Sequence, residues 1–176
     1  MSTTPGSLSP SSAAHREAAP RAIRCAVVTV SDTRTPETDT SGQLIRDLLG
    51  QAGHQVAASV IVPDEPGRIQ ETLRAWIDDP SILAVLSNGG TGIAARDTTY
   101  DAIVSLLDKR IDGFGELFRM LSYEEIGAAA MLSRAIAGVS GTTVIVAMPG
   151  SSNAVSLAMT RLVLPELGHL VYEVTK

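Results

Sequence analysis

Apolar positions along the chain fall into two alternating rhythms. Short, near-continuous runs rich in β-branched residues occur at Ile23–Val30 (IRCAVVTV), Val56–Val62 (VAASVIV), Ile82–Leu86 (ILAVL) and Thr142–Met148 (TTVIVAM). Runs of this kind predict strands of a parallel sheet covered on both faces. Between them the spacing turns helical. Leu44, Ile45, Leu48 and Leu49 form one stripe over 43–52, with Gly53 placed to end the helix. Ile69, Leu73, Trp76 and Ile77 do the same over 68–79. Further helices are expected over 102–107, 116–120, 124–137 and 153–164. Gly113-Phe114-Gly115 and Pro165 act as breaks. Strands alternating with helices predict right-handed βαβ units and an open α/β sheet.

The stretch 1–21 is rich in Ser, Ala, Pro and Thr. Only Met1 and Leu8 are large and apolar there, so it reads as a disordered tail ahead of one domain over 22–176. It contains no apolar run of the signal-peptide type. No stretch of the chain approaches the ~20 uninterrupted apolar residues of a spanning helix. The expectation is a cytoplasmic protein without membrane contact.

Charge narrows the partners. Lys plus Arg is 14 against 19 for Asp plus Glu, a net charge of −5, and aromatics are only 3%. Broad nucleic-acid binding is therefore not expected, whereas a small anion held by backbone N–H groups is compatible with an acidic chain. The single cysteine, Cys25, lies inside a predicted strand and reads as an inert core thiol.

In an open parallel sheet, ligands collect beyond the carboxyl ends of the strands. Four loops leave those ends, and all are rich in Gly, Ser, Thr or Asp. Asn88-Gly89-Gly90-Thr91-Gly92 matches neither the P-loop nor the dinucleotide fingerprint. It reads either as an anion-binding nest or as a tight strand-to-helix turn. Asp97, before the next helix, is either a magnesium ligand or a capping acid. Asp64 is a second acid in the Pro63-Asp64-Glu65 turn, where the simpler reading is a solvated side chain. Pro149-Gly150-Ser151 and Ser31-Asp32 are each an anion site or a capped turn. Glu116 and Arg119 read from charge alone as an ion pair or a solvated helix face. Ser133-Arg134 sits in an apolar stretch.

Taken together, these loops resemble the molybdenum-cofactor biosynthesis proteins of the molybdopterin adenylyltransferase type, most of all their protein B branch. The resemblance runs from about Ile23 to Leu167. It is carried by Thr29-Val30-Ser31-Asp32, Val62-Pro63-Asp64-Glu65, Asn88 through Asp97, Gly113 through Arg119, Ser122 through Gly127, Met131 through Ala135 and Met148-Pro149-Gly150-Ser151. The chain departs from the commoner pattern at Asn88, Ala95, Thr98, Thr99 and Tyr100 while keeping Asp97.

The resemblance implies an α/β, three-layer αβα sandwich around a mostly parallel sheet, assembled as a homotrimer or homohexamer. It implies a nucleotidyltransferase that moves AMP from Mg²⁺·ATP to the terminal phosphate of molybdopterin. Asp64 and Asp97 take the catalytic and metal-binding places. Gly89, Gly90, Thr91 and Gly92 take the nucleotide and pterin region. Ser133, Pro149, Gly150 and Ser151 lie on the substrate side, with Ser31, Asp32 and Glu116 as further substrate-binding candidates. The alternative it leaves is a molybdopterin carrier or storage protein without catalysis.

Overall fold

The computed structural model describes residues 19–176, so most of the expected tail lies outside the described residues. Six strands form one mixed sheet in the order β2-β1-β3-β6-β5-β4. The strands are β1 (Arg24–Val30), β2 (Gln55–Val62), β3 (Ala84–Asn88), β4 (Lys109–Arg110), β5 (Ile136–Ser140) and β6 (Thr143–Met148). The β1–β2, β1–β3 and β3–β6 pairings are parallel, and β5 and β4 close one edge in antiparallel fashion.

The alternating pleat sends successive side chains to opposite faces, and both faces are covered. Cys25 and Val27 of β1 join one core with Ile45 and Leu49 of α1 (Thr40–Gln51), Phe118 of α4 (Asp112–Ile126), Val155 of α5 (Ser152–Ala158) and Leu167 of α6 (Leu164–Thr175). Ala26 and Val28 join the other core with Ile69 and Leu73 of α2 (Pro66–Ile77) and Ile103 of α3 (Thr99–Val104). The result is the expected three-layer α/β sandwich. The four expected strands are all present, each within a few residues of its expected limits.

Three local expectations are overturned. Gly113-Phe114-Gly115 does not break a helix but lies in the first turns of the continuous α4. Gly115 is needed there because a Cβ would come within 2.7 Å of the Ala135 carbonyl, so its absence lets the helix press on the chain leading into β5. The helix expected over 124–137 ends at Ile126. A 3₁₀ segment, Gly127–Leu132, follows, and Ile136 onward is strand. Small residues account for this: Gly138 of β5 packs where a Cβ would lie 2.5 Å from the Lys109 carbonyl of β4. Pro165 does not interrupt the last helix either. A π-helical turn, Met159–Val163, precedes it and widens the backbone, so the missing proline N–H is accommodated and the helix runs on to Thr175. This stretch is long and apolar enough to cross a membrane by composition, yet Val155, Met159, Val163, Leu167 and Val171 are buried in the core.

Candidate functional site at the strand ends

β2 and β3 lie on opposite sides of β1, so the chain reverses its direction of winding between β1 and β3. The crevice beyond that reversal is where open sheets place ligands. Here it is a cavity of about 560 Å³. Ser31 enters it from the end of β1, Gly89, Gly90, Thr91 and Gly92 from β3, Pro149, Gly150 and Ser151 from β6, and Ser133 from the segment before β5. Phe118 and Ile126 of α4 with Leu132 supply an apolar wall. Nine of the expected site residues thus share one space.

The glycine loop owes its path to backbone freedom at its start. Gly89 and Gly90 have φ of 94° and 63°, a region in which side chains are strained. A Cβ on Gly89 would overlap the Val30 carbonyl. One on Gly90 would overlap the Thr99 hydroxyl and lie 2.6 Å from Asp64 Oδ2. The Gly89 N–H itself donates to the Met148 carbonyl at 3.1 Å, tying β3's exit to β6.

Asp64 and Asp97 flank the far side of this loop and do not line the cavity. Asp64 Oδ1 accepts from both the N–H and the hydroxyl of Thr98, at 3.1 and 2.7 Å. Thr98 is the residue before α3, but its hydroxyl is turned to Asp64 rather than capping the helix. Asp97 Oδ2 accepts the Ala94 N–H at 2.8 Å, closing a small turn within the loop. Among the described residues no three His, Cys, Asp or Glu side chains converge on a common point. The oxygens able to hold a hard cation are Asp64 Oδ2, Asp97 Oδ1 and the Thr99 hydroxyl, which is buried without a hydrogen-bond partner.

Asp32 lies outside the cavity. Its Oδ2 pairs with Arg96 Nε at 2.6 Å, and its Oδ1 accepts the Asp64 N–H at 3.2 Å. The Arg96 hydrogen bond, helped by the Asp64 N–H, holds the Asp32 carboxyl below the usual range. Glu116 falls in a separate depression of about 250 Å³ with Arg119 and Tyr100. Ser151 caps α5 by accepting from the Ala154 N–H at 3.2 Å, and Ser31 Oγ accepts from the N–H groups of Thr33 and Arg34. The capped-turn readings of both serines therefore hold, while both also face the cavity.

Arg34 was not among the residues singled out from sequence. It lines the cavity and donates to the Gly150 carbonyl at 2.7 Å, bridging the loops after β1 and β6. Behind it stands a buried polar network. Arg34 also contacts Asp39 and the Ser41 hydroxyl. Thr29 Oγ1 donates to Asp39 Oδ2 at 2.9 Å, Asn88 Nδ2 donates to Thr29 Oγ1 at 2.9 Å, and Ser41 Oγ donates to Asn88 Oδ1 at 2.9 Å. The only sequence signal for Arg34 was an arginine in a polar run after a strand, five residues before an acid.

Comparison with known proteins shows the family and agrees with the fold. The family model described as "Probable molybdopterin binding domain" matches residues 26–169. A molybdenum cofactor biosynthesis protein B of Bacillus cereus is 56% identical over 160 residues, covering 90% of this chain and 95% of its own. That of Bacillus subtilis is 54% identical over 163 residues, covering 92% and 96%. A crystal structure of a molybdenum cofactor biosynthesis protein B superposes with a TM-score of 0.86 at 56% identity, over 89% of this chain and 98% of that one. A tungsten cofactor synthesizing protein from Pyrococcus furiosus superposes with a TM-score of 0.80 at 36% identity, over 90% and 100%.

Proposed function

The chain belongs to the molybdopterin-binding domain family and to its molybdenum cofactor biosynthesis protein B group, and from that premise we propose that it adenylylates molybdopterin in the cytoplasm, with Mg²⁺·ATP as co-substrate and pyrophosphate as the second product. The observation that carries this reading is the convergence of three strand-end loops on one cavity with two aspartates behind the glycine loop.

The transfer needs no covalent enzyme nucleophile, because the terminal phosphate of molybdopterin supplies the attacking oxygen. The protein's task is positioning and charge neutralisation. The apolar wall of Phe118, Ile126 and Leu132 suits a flat pterin, with the Ser133 and Ser151 hydroxyls at its polar rim. Loop N–H groups from Gly90 to Gly92 suit phosphate oxygens, each such donor contributing about 3 kcal/mol to a transition state. Magnesium is commonly bound by one or two carboxylates together with water and substrate phosphates. Asp64 Oδ2 and Asp97 Oδ1 fit that pattern, the first lying against Gly90 together with the unpartnered Thr99 hydroxyl and the second on the Gly92 side of the loop. When bound, the ion neutralises charge on the triphosphate.

One arrangement favours a second reading, a non-catalytic molybdopterin carrier. Each aspartate already spends one oxygen on loop N–H groups, which is a structural task that survives without catalysis. Incubating protein with Mg²⁺·ATP and molybdopterin and assaying pyrophosphate distinguishes the two. Release of one pyrophosphate per adenylyl-molybdopterin formed supports the transferase. Molybdopterin binding without pyrophosphate supports the carrier.

A further inference from the structure

We propose that Arg134 is a positioning residue that fixes the place of the Asp97 carboxylate by clamping the glycine loop, an inference that rests on the transferase reading above for its catalytic consequence. All three guanidinium nitrogens are committed to the loop and the helix after it. Nε donates to the Gly92 carbonyl at 2.9 Å, Nη2 donates to the Asp97 carbonyl at 2.8 Å, and Nη1 pairs with Asp101 at 3.1 Å. The guanidinium also lies over the Tyr100 ring, 5.0 Å from its centre. Three of the five guanidinium N–H donors are thus committed within the protein.

The clamp works across a single peptide. The Asp97 carbonyl points at Arg134, so the N–H of the same trans peptide, that of Thr98, points the opposite way. There it meets Asp64 Oδ1 at 3.1 Å. A cation and an anion thus grip the two ends of one peptide dipole, and the Asp97 side chain hangs from the Cα next to it. At the other end of the turn, Arg134 holds Gly92, whose Cα sits against the Asp97 carboxylate, where a Cβ would lie 2.5 Å from Oδ2. The loop between Gly92 and Asp97 is otherwise exposed, with Ile93 67% accessible, and has little packing of its own to hold it. Arginine suits the place because the three acceptors each face a different nitrogen of its planar fork, whereas a lysine offers its donors from a single point.

The test compares wild type with Arg134→Gln and Arg134→Lys by amide hydrogen exchange of the free protein, molybdopterin titration without ATP, and turnover. In Arg134→Gln the Asp97 and Thr98 amides exchange at least about tenfold faster while those of β3 and β6 do not change. Turnover falls by about 100-fold, with molybdopterin affinity within about threefold of wild type because Phe118, Ile126 and Leu132 and the loops after β1 and β6, which form the rest of the cavity, make no contact with the Arg134 guanidinium. Arg134→Lys, which keeps the charge and one contact, recovers part of both effects and serves if the glutamine variant is poorly folded. Unchanged loop exchange in both variants, or faster exchange with wild-type turnover, overturns the proposal. Absence of turnover in wild type itself overturns the transferase reading instead, and the clamp is then decided by the exchange data alone.

Discussion

Asp64 and Arg134 hold the Asp97–Thr98 peptide between them, the carboxylate on its N–H and the guanidinium on its carbonyl. The two residues are 70 positions apart in sequence and come from opposite flanks of the sheet, one after β2 and one before β5. Their joint grip makes Asp64 an orienting group whatever else it binds. It also explains how a loop with little packing presents Asp97 in one place.

Replacing Asp97 by Asn keeps an oxygen that can accept the Ala94 N–H but removes the charge. The expected outcome is loss of pyrophosphate release by about 100-fold or more, with molybdopterin affinity and unfolding midpoint near wild type. Paired turnover and binding titrations check it; unchanged turnover would remove Asp97 from the reaction.

Gly90→Ala forces a side chain into a backbone region of φ 63° and onto the Thr99 hydroxyl. The loop must move, at a cost of about 1–3 kcal/mol. Binding of both molybdopterin and ATP is expected to weaken together, which calorimetric titration of each ligand reads directly. The exposed Gly67, whose Cβ would meet nothing within 4 Å, is the control position.

Asp39 is 2% exposed and serves as the N-cap of α1, accepting from the Gly42 N–H at 3.0 Å, while also receiving Thr29 and facing Arg34 and Arg46. Asp39→Ala removes a cap and leaves buried donors without a partner, so a loss of about 2–4 kcal/mol is expected in urea unfolding. Asp39→Asn, which keeps an acceptor, is expected to lose less. Equal losses for the two variants would show that charge, not acceptance, is what the network needs.

His54 Nδ1 accepts the Ile23 N–H at 3.3 Å, and burial holds the imidazole below its ordinary value of 6.5. The unfolded chain therefore takes up this proton more readily than the folded one. The stability it contributes is present above pH 6.5 and is lost as the pH falls below that value toward the depressed folded-state value. Thermal midpoints are expected to fall between pH 7 and about 5, less steeply in His54→Gln. The lowered carboxyls of Asp32 and Asp79 contribute stability that is present above the ordinary 3.8 and is lost below it, so that titration occupies a separate, more acidic window.

The parts legible in the sequence are those whose physics is local. Each long strand is a short β-branched run, and the glycine loop announces itself by composition. The strand β5 does not, because Ile136 and Val139 are interrupted by the small residues Ala137 and Gly138, and the value of Gly138 lies in its close approach to Lys109 of β4, a tertiary fact. Pro165 looks like a helix stop because its compensation, a π turn six residues earlier, carries no sequence mark. Arg34 and the clamping side of Arg134 are invisible for the same reason. Their partners, Gly150 and Gly92, are backbone carbonyls 116 and 42 residues away. The resemblance singled out Asp64 but gave no sign of its hydrogen bonds to Thr98.

Cys25 is fully buried, and burial pushes its thiol up to about 12. No thiolate forms near neutrality in the folded chain. Alkylation at pH 8 is expected to label the protein only in denaturant, which mass measurement shows. Rapid labelling of the native chain would mean that β1 opens.

The decisive experiment is the pyrophosphate assay with purified protein, Mg²⁺·ATP and molybdopterin. One adenylyl-molybdopterin per pyrophosphate in wild type, with neither product in Asp97→Asn, is the predicted result. Tight molybdopterin binding with no pyrophosphate from wild type would contradict it and leave the strand-end cavity as a carrier's site.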